Sequence, residues 1–171
     1  MPRVVLIGPP GSGKSTVGRS LAKLLGCENI DTDALIEKRV GKKISEIFVD
    51  DGEPFFRKIE AEEVLKALEL ENGVISLGGG SVLDASVSSS LHNSQVPVVY
   101  LQVSLSQAAP RVGFNKERPL LLVNPRQQWL ALMESREPIY SSLATFSVST
   151  DNKKPAAVAS EIAGLLGVNH E

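Results

Sequence analysis

The stretch that most constrains the fold is GPPGSGKST at residues 8–16, because of what lies on either side of it. The run before it, RVVLIG at residues 3–8, is β-branched, apolar and stopped by glycine, which is typical of a strand buried on both faces. The segment after it, residues 14–25, has its apolar side chains on one helix face and is followed by Gly26, a natural helix stop. A strand, a glycine-rich loop and a helix therefore open the chain.

The rest of the chain repeats this alternation of strand and helix. Further strands are predicted at residues 28–31, 73–77, 96–103 and 145–149, and helices at 34–40, 45–49, 54–70 and 155–166. Five strands separated by helices predict a parallel sheet with right-handed crossovers and helices on both faces. We therefore predict one domain over residues 1–171, with a three-layer α/β/α architecture.

Composition excludes several classes of protein. A net charge of −2 gives no field that would gather nucleic acid, and no apolar run approaches the roughly 20 residues that span a bilayer. The single cysteine, Cys27, fits a reducing compartment and is more typical of a core residue than of a nucleophile. The loop already begins at Gly8, which leaves no room for a targeting peptide. We predict a cytoplasmic protein with no membrane or nucleic-acid partner.

The glycine-rich loop fits the pattern G-x-x-x-x-G-K-[ST] at Gly8, Gly13, Lys14 and Ser15. Its position between a strand and a helix is the context that identifies a phosphate-binding P-loop. Glycines let the backbone wrap around phosphates, and the N–H groups at the helix N-terminus point to the anion. Lys14 is placed to reach the β- and γ-phosphates and Ser15 to bind Mg²⁺. The loop predicts binding of a nucleoside triphosphate.

The sequence DTD at residues 31–33 follows the second predicted strand. In an extended chain Asp31 and Asp33 point the same way, toward the region beyond the strand ends where α/β sheets bind ligands. Two such carboxylates suit the holding of hydrated Mg²⁺ and the acceptance of a proton from an attacking hydroxyl. Alternatively, one of them caps the following helix, which is compatible with either role.

Arg57 extends the apolar stripe of the helix predicted at residues 54–70. A guanidinium pointing inward there needs an anionic partner. Glu60 is its neighbour on the helix surface, which favours a structural ion pair. A planar fork also suits a substrate carboxylate, and spacing alone leaves both interpretations open.

Three glycines, residues 78–80, follow the third strand, where many P-loop proteins carry an aspartate. They allow close backbone approach to a flat polar ligand, whereas a tight turn needs one or two glycines. The segment 111–128 escapes the alternating pattern and is predicted to be a mobile functional loop. It holds Arg118, which could swing over a γ-phosphate. Arg136 is predicted to end a helical stretch before a proline; taken alone, each arginine is more typical of a solvated surface charge.

Together these segments resemble the shikimate kinase family, small kinases with the nucleoside-monophosphate-kinase type of P-loop fold. The resemblance covers nearly the whole chain and rests on an ordered set of motifs at residues 8–15, 31–33, 56–60, 78–80, 118–121 and 136–140. It implies transfer of a phosphoryl group from ATP, with Mg²⁺, to the 3-hydroxyl of shikimate on the route to chorismate. It also implies a monomer.

The resemblance implies roles for individual residues. Lys14, Asp33 and Arg118 are expected to be catalytic, with Asp33 deprotonating the hydroxyl and Arg118 closing over the phosphate. Ser15 is expected to ligate Mg²⁺ directly, and Asp31 through water. The expected nucleotide contacts are Gly11, Ser12, Gly13, Lys14, Ser15, Thr16, Arg111, Arg118, Lys154 and Pro155. The expected shikimate contacts are Asp33, Phe48, Phe56, Arg57, Glu60, Gly78, Gly79, Gly80 and Arg136.

Two regions follow from the same resemblance: a lid at about residues 111–126 and a shikimate-binding region at about residues 32–60. Two other functions remain open on the residues. One is a related kinase, either a small-metabolite kinase such as one acting on gluconate or a nucleoside-monophosphate kinase. The other is a P-loop module that binds ATP without an acceptor substrate.

Overall fold

The computed structural model describes residues 2–112 and 124–168. The strands are β1 (Val4–Ile7), β2 (Asn29–Asp31), β3 (Val74–Ser76), β4 (Val98–Gln102) and β5 (Phe146–Ser149). The helices are α1 (Lys14–Leu25), α2 (Thr32–Val40), α3 (Ile44–Asp50), α4 (Glu53–Leu68), α5 (Ala85–Asn93), α6 (Leu105–Val112), α7 (Pro125–Leu143) and α8 (Pro155–Leu165). A 3-10 turn, Ser81–Leu83, follows the three glycines.

All five strands are parallel, in the order β2-β3-β1-β4-β5. Strand β1 lies at the centre and is buried throughout. Its alternate side chains enter two separate cores: Val4 and Leu6 pack with α1 and α8, whereas Val5 and Ile7 pack with α4, α5 and α7. Helices on both faces explain why the strand is apolar without alternation.

Helices α2, α3 and α4 enclose a small core of their own beside the carboxyl end of β2. Its buried members are Ile36, Ile47, Phe56 and Ile59. Arg39 on α2 forms ion pairs with Glu62 at 2.7 Å and Glu63 at 3.1 Å on α4. The shared core and these ion pairs hold the three helices together as one unit, which contains residues 32–60.

The structure confirms the predicted α/β fold with its five-stranded parallel sheet. Helix α5 was not predicted from its serine-rich sequence, although the Asp84 carboxylate caps it by accepting from the N–H of Val87 at 3.0 Å. Helix α6 also escaped prediction, because Pro110 lies inside it. Within the residues that the structure describes, no helix is long and apolar enough to cross a membrane.

The segment 111–128 is not irregular at its ends. Residues 111–112 complete α6, and α7 begins at Pro125 with a proline in its first turn. The prediction that a helix ends at Arg136 is also wrong, because α7 continues through Pro138 to Leu143. Proline removes one helical hydrogen bond, and the buried Tyr140 beyond it keeps the helix packed on the sheet.

Candidate active site

The P-loop (residues 8–16) connects β1 to α1. Gly13, the N-cap of α1, has φ of 88°, a left-handed conformation that favours glycine. Inside the loop, the Lys14 ammonium donates to the carbonyl oxygens of Gly8 at 2.7 Å and Pro9 at 3.0 Å. Ser12 is fully buried beneath it. The loop thus has a defined shape, with its cation and helix N-terminus facing one cleft.

The two aspartates of residues 31–33 line that cleft together with Lys14 and Ser15. Asp31 ends β2 and caps α2, since its Oδ1 accepts from the N–H of Asp33 at 3.0 Å. Its Oδ2 accepts a hydrogen bond from the Ser15 hydroxyl at 2.7 Å. Asp33 lies in the first turn of α2, so the extended-chain argument for its direction is wrong. The helix begins at Thr32, earlier than predicted, and its first turn still brings both carboxylates to the cleft.

Ser15 and Asp31 fit a magnesium ion. Hydroxyl and carboxylate oxygens are the hard ligands that Mg²⁺ prefers, and here they lie at 2.7 Å from one another beside the P-loop. Across residues 2–112 and 124–168, no cluster of three or more His, Cys, Asp or Glu could hold a metal. Mg²⁺ at nucleotide sites is commonly held by one or two protein ligands together with phosphates and water.

Arg57 and Glu60 form the ion pair that their spacing predicts, at 2.7 Å. Glu60 is deeply buried, and this burial raises the pKa of its carboxyl; the guanidinium of Arg57 opposes the rise and the charge of Asp33 adds to it. Glu53 also contacts the Arg57 Nε, at 3.4 Å. The Arg57 side chain keeps a quarter of its surface exposed. The structural pair therefore exists and leaves part of the guanidinium accessible.

The triple-glycine loop (residues 78–80) follows β3 and touches the charged side chains of α2 and α4. A Cβ at Gly78 would lie 2.8 Å from Oδ1 of Asp33 and 2.9 Å from Oε2 of Glu60. A Cβ at Gly80 would lie 2.7 Å from Cζ of Arg57, although its φ of −95° suits any residue. The groups that approach this loop closely in the structure are the chain's own charged side chains, and the predicted approach of a flat polar ligand stays a prediction.

Arg136 lies in the middle of α7 and is 5% exposed. Its Nε is buried and has no hydrogen-bond partner among the residues that the structure describes. A buried guanidinium with an unused donor is costly unless an anion completes it. Helix α7 contacts the 3-10 turn that follows the triple-glycine loop, which places Arg136 on an element next to that loop.

A second cleft also adjoins the P-loop and shares Gly13, Thr16 and Arg111 with the first. Its lining residues are Gly13, Thr16, Val17, Arg111, Thr150, Lys153, Pro155 and Val158. Arg111 donates to the carbonyl oxygen of Gly11 at 2.7 Å, which brings the end of α6 to the loop. Lys153, held by Glu161 at 2.8 Å, lines the cleft. Lys154, which was expected there, is the N-cap residue of α8 and is not among the lining residues.

The two phenylalanines expected near the acceptor pack against each other. The rings of Phe48 and Phe56 have centroids 4.7 Å apart, and Phe56 is buried in the small core of α2 to α4. The Arg57 guanidinium lies 5.3 Å from the Phe56 ring centroid. Phe56 thus stabilises the position of Arg57 by a cation–π contact. Arg118, predicted to be catalytic, lies outside the described residues.

Two contacts to the site were missed from the sequence. The indole of Trp129 donates to the carbonyl oxygen of Pro10 in the P-loop at 3.0 Å. The hydroxyl of Tyr140 donates to the carbonyl oxygen of Gly79 at 2.5 Å. Tyr140 belongs to the motif at residues 136–140, which is a weak indication that it contacts the site. Nothing in the sequence around Trp129 indicates its contact with the P-loop.

Comparison with known proteins identifies the family. A model of shikimate kinase matches residues 10–166 of this chain. The chain belongs to the shikimate kinase family. Shikimate kinase of Thermobifida fusca is 51% identical over 162 residues, which cover 95% of this chain and 93% of that protein.

Solved shikimate kinases have the same fold. The enzyme from Acinetobacter baumannii, in complex with shikimate, superposes with a TM-score of 0.93 at 35% identity, covering 97% of this chain and 93% of that one. The enzyme from Aquifex aeolicus gives 0.84 at 36% identity, covering 98% and 96%. The chain is thus a shikimate kinase that uses ATP, and the alternatives of a gluconate-type kinase and a module without an acceptor are set aside.

Proposed function

We propose that the enzyme transfers the γ-phosphoryl group of MgATP to the 3-hydroxyl of shikimate in the cleft between the P-loop and the triple-glycine loop. The observation that carries this proposal is the position of Asp33. It lines one cleft with Lys14 and Ser15, and it lies against Gly78 and close to Glu60 on the opposite side. One carboxylate thus touches both halves of the site.

The P-loop side would hold the donor. Lys14 would exchange its carbonyl partners for the β- and γ-phosphates, assisted by backbone N–H groups of Gly11, Ser12 and Gly13 and by Thr16. Ser15 would ligate Mg²⁺ and Asp31 would hold it through water; the ion, when bound, offsets charge on the phosphates. The cleft lined by Arg111 and Pro155 would take the adenine, with Lys154 at its edge.

On the acceptor side, Asp33 would accept the hydrogen of the 3-hydroxyl and receive its proton as the phosphoryl group transfers. Arg57 and Arg136 would bind the shikimate carboxylate. The exposed quarter of Arg57 and the unused Nε of Arg136 support this role. The triple-glycine loop would lie beneath the ring, and Phe48 and Phe56 would form its apolar wall.

Arg118 would close over the transferring phosphate and stabilise its charge, as the resemblance to the family implies. We also propose that the enzyme acts as a monomer in the cytoplasm. The resemblance to the family implies a monomer, and a single cysteine, Cys27, fits a reducing compartment.

The acceptor is tested by following ADP release from MgATP in the presence of shikimate, gluconate, AMP or no acceptor. We expect release with shikimate alone, and the product to carry phosphate on the 3-hydroxyl by NMR. Comparable release with gluconate or AMP would contradict the proposal.

The arginine clamp is tested by Arg136→Lys, which retains the charge but loses the planar fork. We expect the KM for shikimate to rise about 10- to 100-fold, the range of one charge-assisted hydrogen bond, with the KM for MgATP unchanged. Arg39→Lys on the surface of α2 is the matched control, because Arg39 pairs with Glu62 and Glu63 instead. An unchanged KM for shikimate in Arg136→Lys would exclude the clamp.

A further inference from the structure

Tyr140 is a buried polar side chain that the mechanism above does not use. It is fully buried, yet its hydroxyl donates to the carbonyl oxygen of Gly79, a residue 61 positions away in the chain, at 2.5 Å. This hydrogen bond joins the C-terminal end of α7 to the centre of the triple-glycine loop. Gly79 lies between Gly78 and Gly80, the two glycines that contact charged side chains. The Tyr140 hydroxyl therefore holds the loop at its central residue.

The loop that Tyr140 holds lies close to the charged side chains of the acceptor side and to the P-loop. Gly78 leaves no room for a Cβ beside Asp33 and Glu60, and Gly80 leaves none beside Arg57. A Cβ at Gly79 would lie 3.1 Å from the Pro10 side chain of the P-loop. A shift of this loop by a few tenths of an ångström therefore displaces the charged groups of the acceptor side.

The other end of the hydrogen bond is also fixed. The Tyr140 ring packs against the Tyr100 ring with centroids 5.1 Å apart, and this ring contact does not depend on the Tyr100 hydroxyl. Arg136 precedes Tyr140 by four residues, so both lie on the same side of one helix. The position of Arg136 is thereby linked to the position of the loop.

We propose that Tyr140 is a positioning residue for the acceptor: its hydrogen bond to Gly79 holds the triple-glycine loop at the distance from α7 that shikimate binding requires. This inference rests on the proposed function, because it assumes that the loop and Arg136 hold the same substrate. Tyr140 itself touches neither substrate. Tyr140 acts through the Gly79 carbonyl. Without the Tyr140 hydroxyl this carbonyl loses its hydrogen-bond donor, and the loop is free to shift.

The experiment compares Tyr140→Phe with Tyr100→Phe. These are the only two tyrosines of the chain, they pack in the same core, and each substitution removes one buried hydroxyl. The Tyr100 hydroxyl bonds to Glu137 on α7 and not to the loop, so Tyr100→Phe controls for the loss of a core hydrogen bond. Both variants are first checked for folding and thermal midpoint.

In Tyr140→Phe we expect the KM for shikimate to rise about tenfold, the effect of one lost hydrogen bond, while the KM for MgATP stays within about twofold. In Tyr100→Phe both constants should stay within about twofold of wild type. Shikimate should also raise the thermal midpoint of Tyr140→Phe less than that of wild type or Tyr100→Phe, which reports binding without turnover.

A folded Tyr140→Phe with wild-type KM for shikimate would overturn the proposal. Parallel changes of both KM values in both variants would also overturn it, since they would indicate a general loss of stability. An assay of the wild-type enzyme distinguishes a wrong role for Tyr140 from a wrong proposed function. If wild type shows no shikimate-dependent ADP release, the proposed function is wrong; if it does, only the role of Tyr140 is in question.

Discussion

The P-loop and the triple-glycine loop face one cleft but are held in different ways. In the P-loop, Lys14 bonds to the carbonyl oxygens of Gly8 and Pro9, and the N–H of Ser12 bonds to Pro9. These contacts span at most six residues. The triple-glycine loop instead depends on Tyr140 from α7, 61 residues away, and on close packing against side chains of α2 and α4.

This difference implies that the donor and acceptor halves respond to different substitutions. Changes in α4 or in the second half of α7 should alter acceptor binding and leave nucleotide binding intact. The P-loop is not wholly self-contained, because Arg111 and Trp129 donate to its carbonyl oxygens at Gly11 and Pro10. Arg111 belongs to α6 and Trp129 to the first half of α7, so both helices also contribute to the donor side.

The largest effect is expected where the two halves meet. Asp33→Asn removes the proton acceptor, and we expect kcat to fall about 10³-fold, within the range of general base catalysis. Equilibrium binding of MgATP should stay unchanged, because the P-loop contacts remain. Asp84→Asn is the matched control, since Asp84 caps α5 through the N–H of Val87. Near-normal turnover in Asp33→Asn would show that this carboxylate is not the base.

A smaller effect is expected from Gly80→Ala, which tests the acceptor half alone. The added methyl group would meet the Arg57 guanidinium, while the backbone at φ −95° accepts alanine without strain. We expect the KM for shikimate to rise about tenfold, an effect of overpacking, with the KM for MgATP unchanged. Gly164→Ala, at a site in α8 with nothing within 4 Å, should change neither constant. A rise in the KM for MgATP alone would contradict the inference that donor and acceptor binding respond to different substitutions.

The smallest effect is a pH dependence of stability at Glu60. Burial raises the pKa of its carboxyl above 4.5, so the folded state binds the proton more tightly than the unfolded state does. Its contribution is therefore most favourable below pH 4.5 and is lost as the pH rises through the higher pKa of the folded state. Relative to Glu60→Gln, the wild type should lose free energy of unfolding over this window, measured by urea denaturation at successive pH values.

Glu62→Gln provides a control of opposite sign. The hydrogen bond from Arg39 lowers the pKa of the Glu62 carboxyl below 4.5. Its contribution is present above pH 4.5 and is lost as the pH falls through the lower pKa of the folded state. Equal slopes for the two variants would contradict the assignment of the raised pKa to burial of Glu60.

Sequence-based predictions succeeded where the signal lies within a few residues. The P-loop and the strands follow from patterns that span only a few consecutive residues. The Arg57–Glu60 ion pair was one of two interpretations of a three-residue spacing. Predictions failed where tertiary packing overrides local preference. Helix α7 passes Pro138 because its flanking residues pack on the sheet. The early start of α2 has a local cause instead, the cap that Asp31 provides.

The α/β fold, the P-loop and the residue types of the site can be predicted from the chain alone, because each depends on neighbours along the chain. Which groups meet at the acceptor depends instead on how distant segments pack. The contacts of Gly78 with Asp33 and Glu60, of Gly80 with Arg57, and of Gly79 with Tyr140 join segments far apart in sequence. No local pattern encodes such contacts, because they arise when α2, α4 and α7 pack around the end of β3.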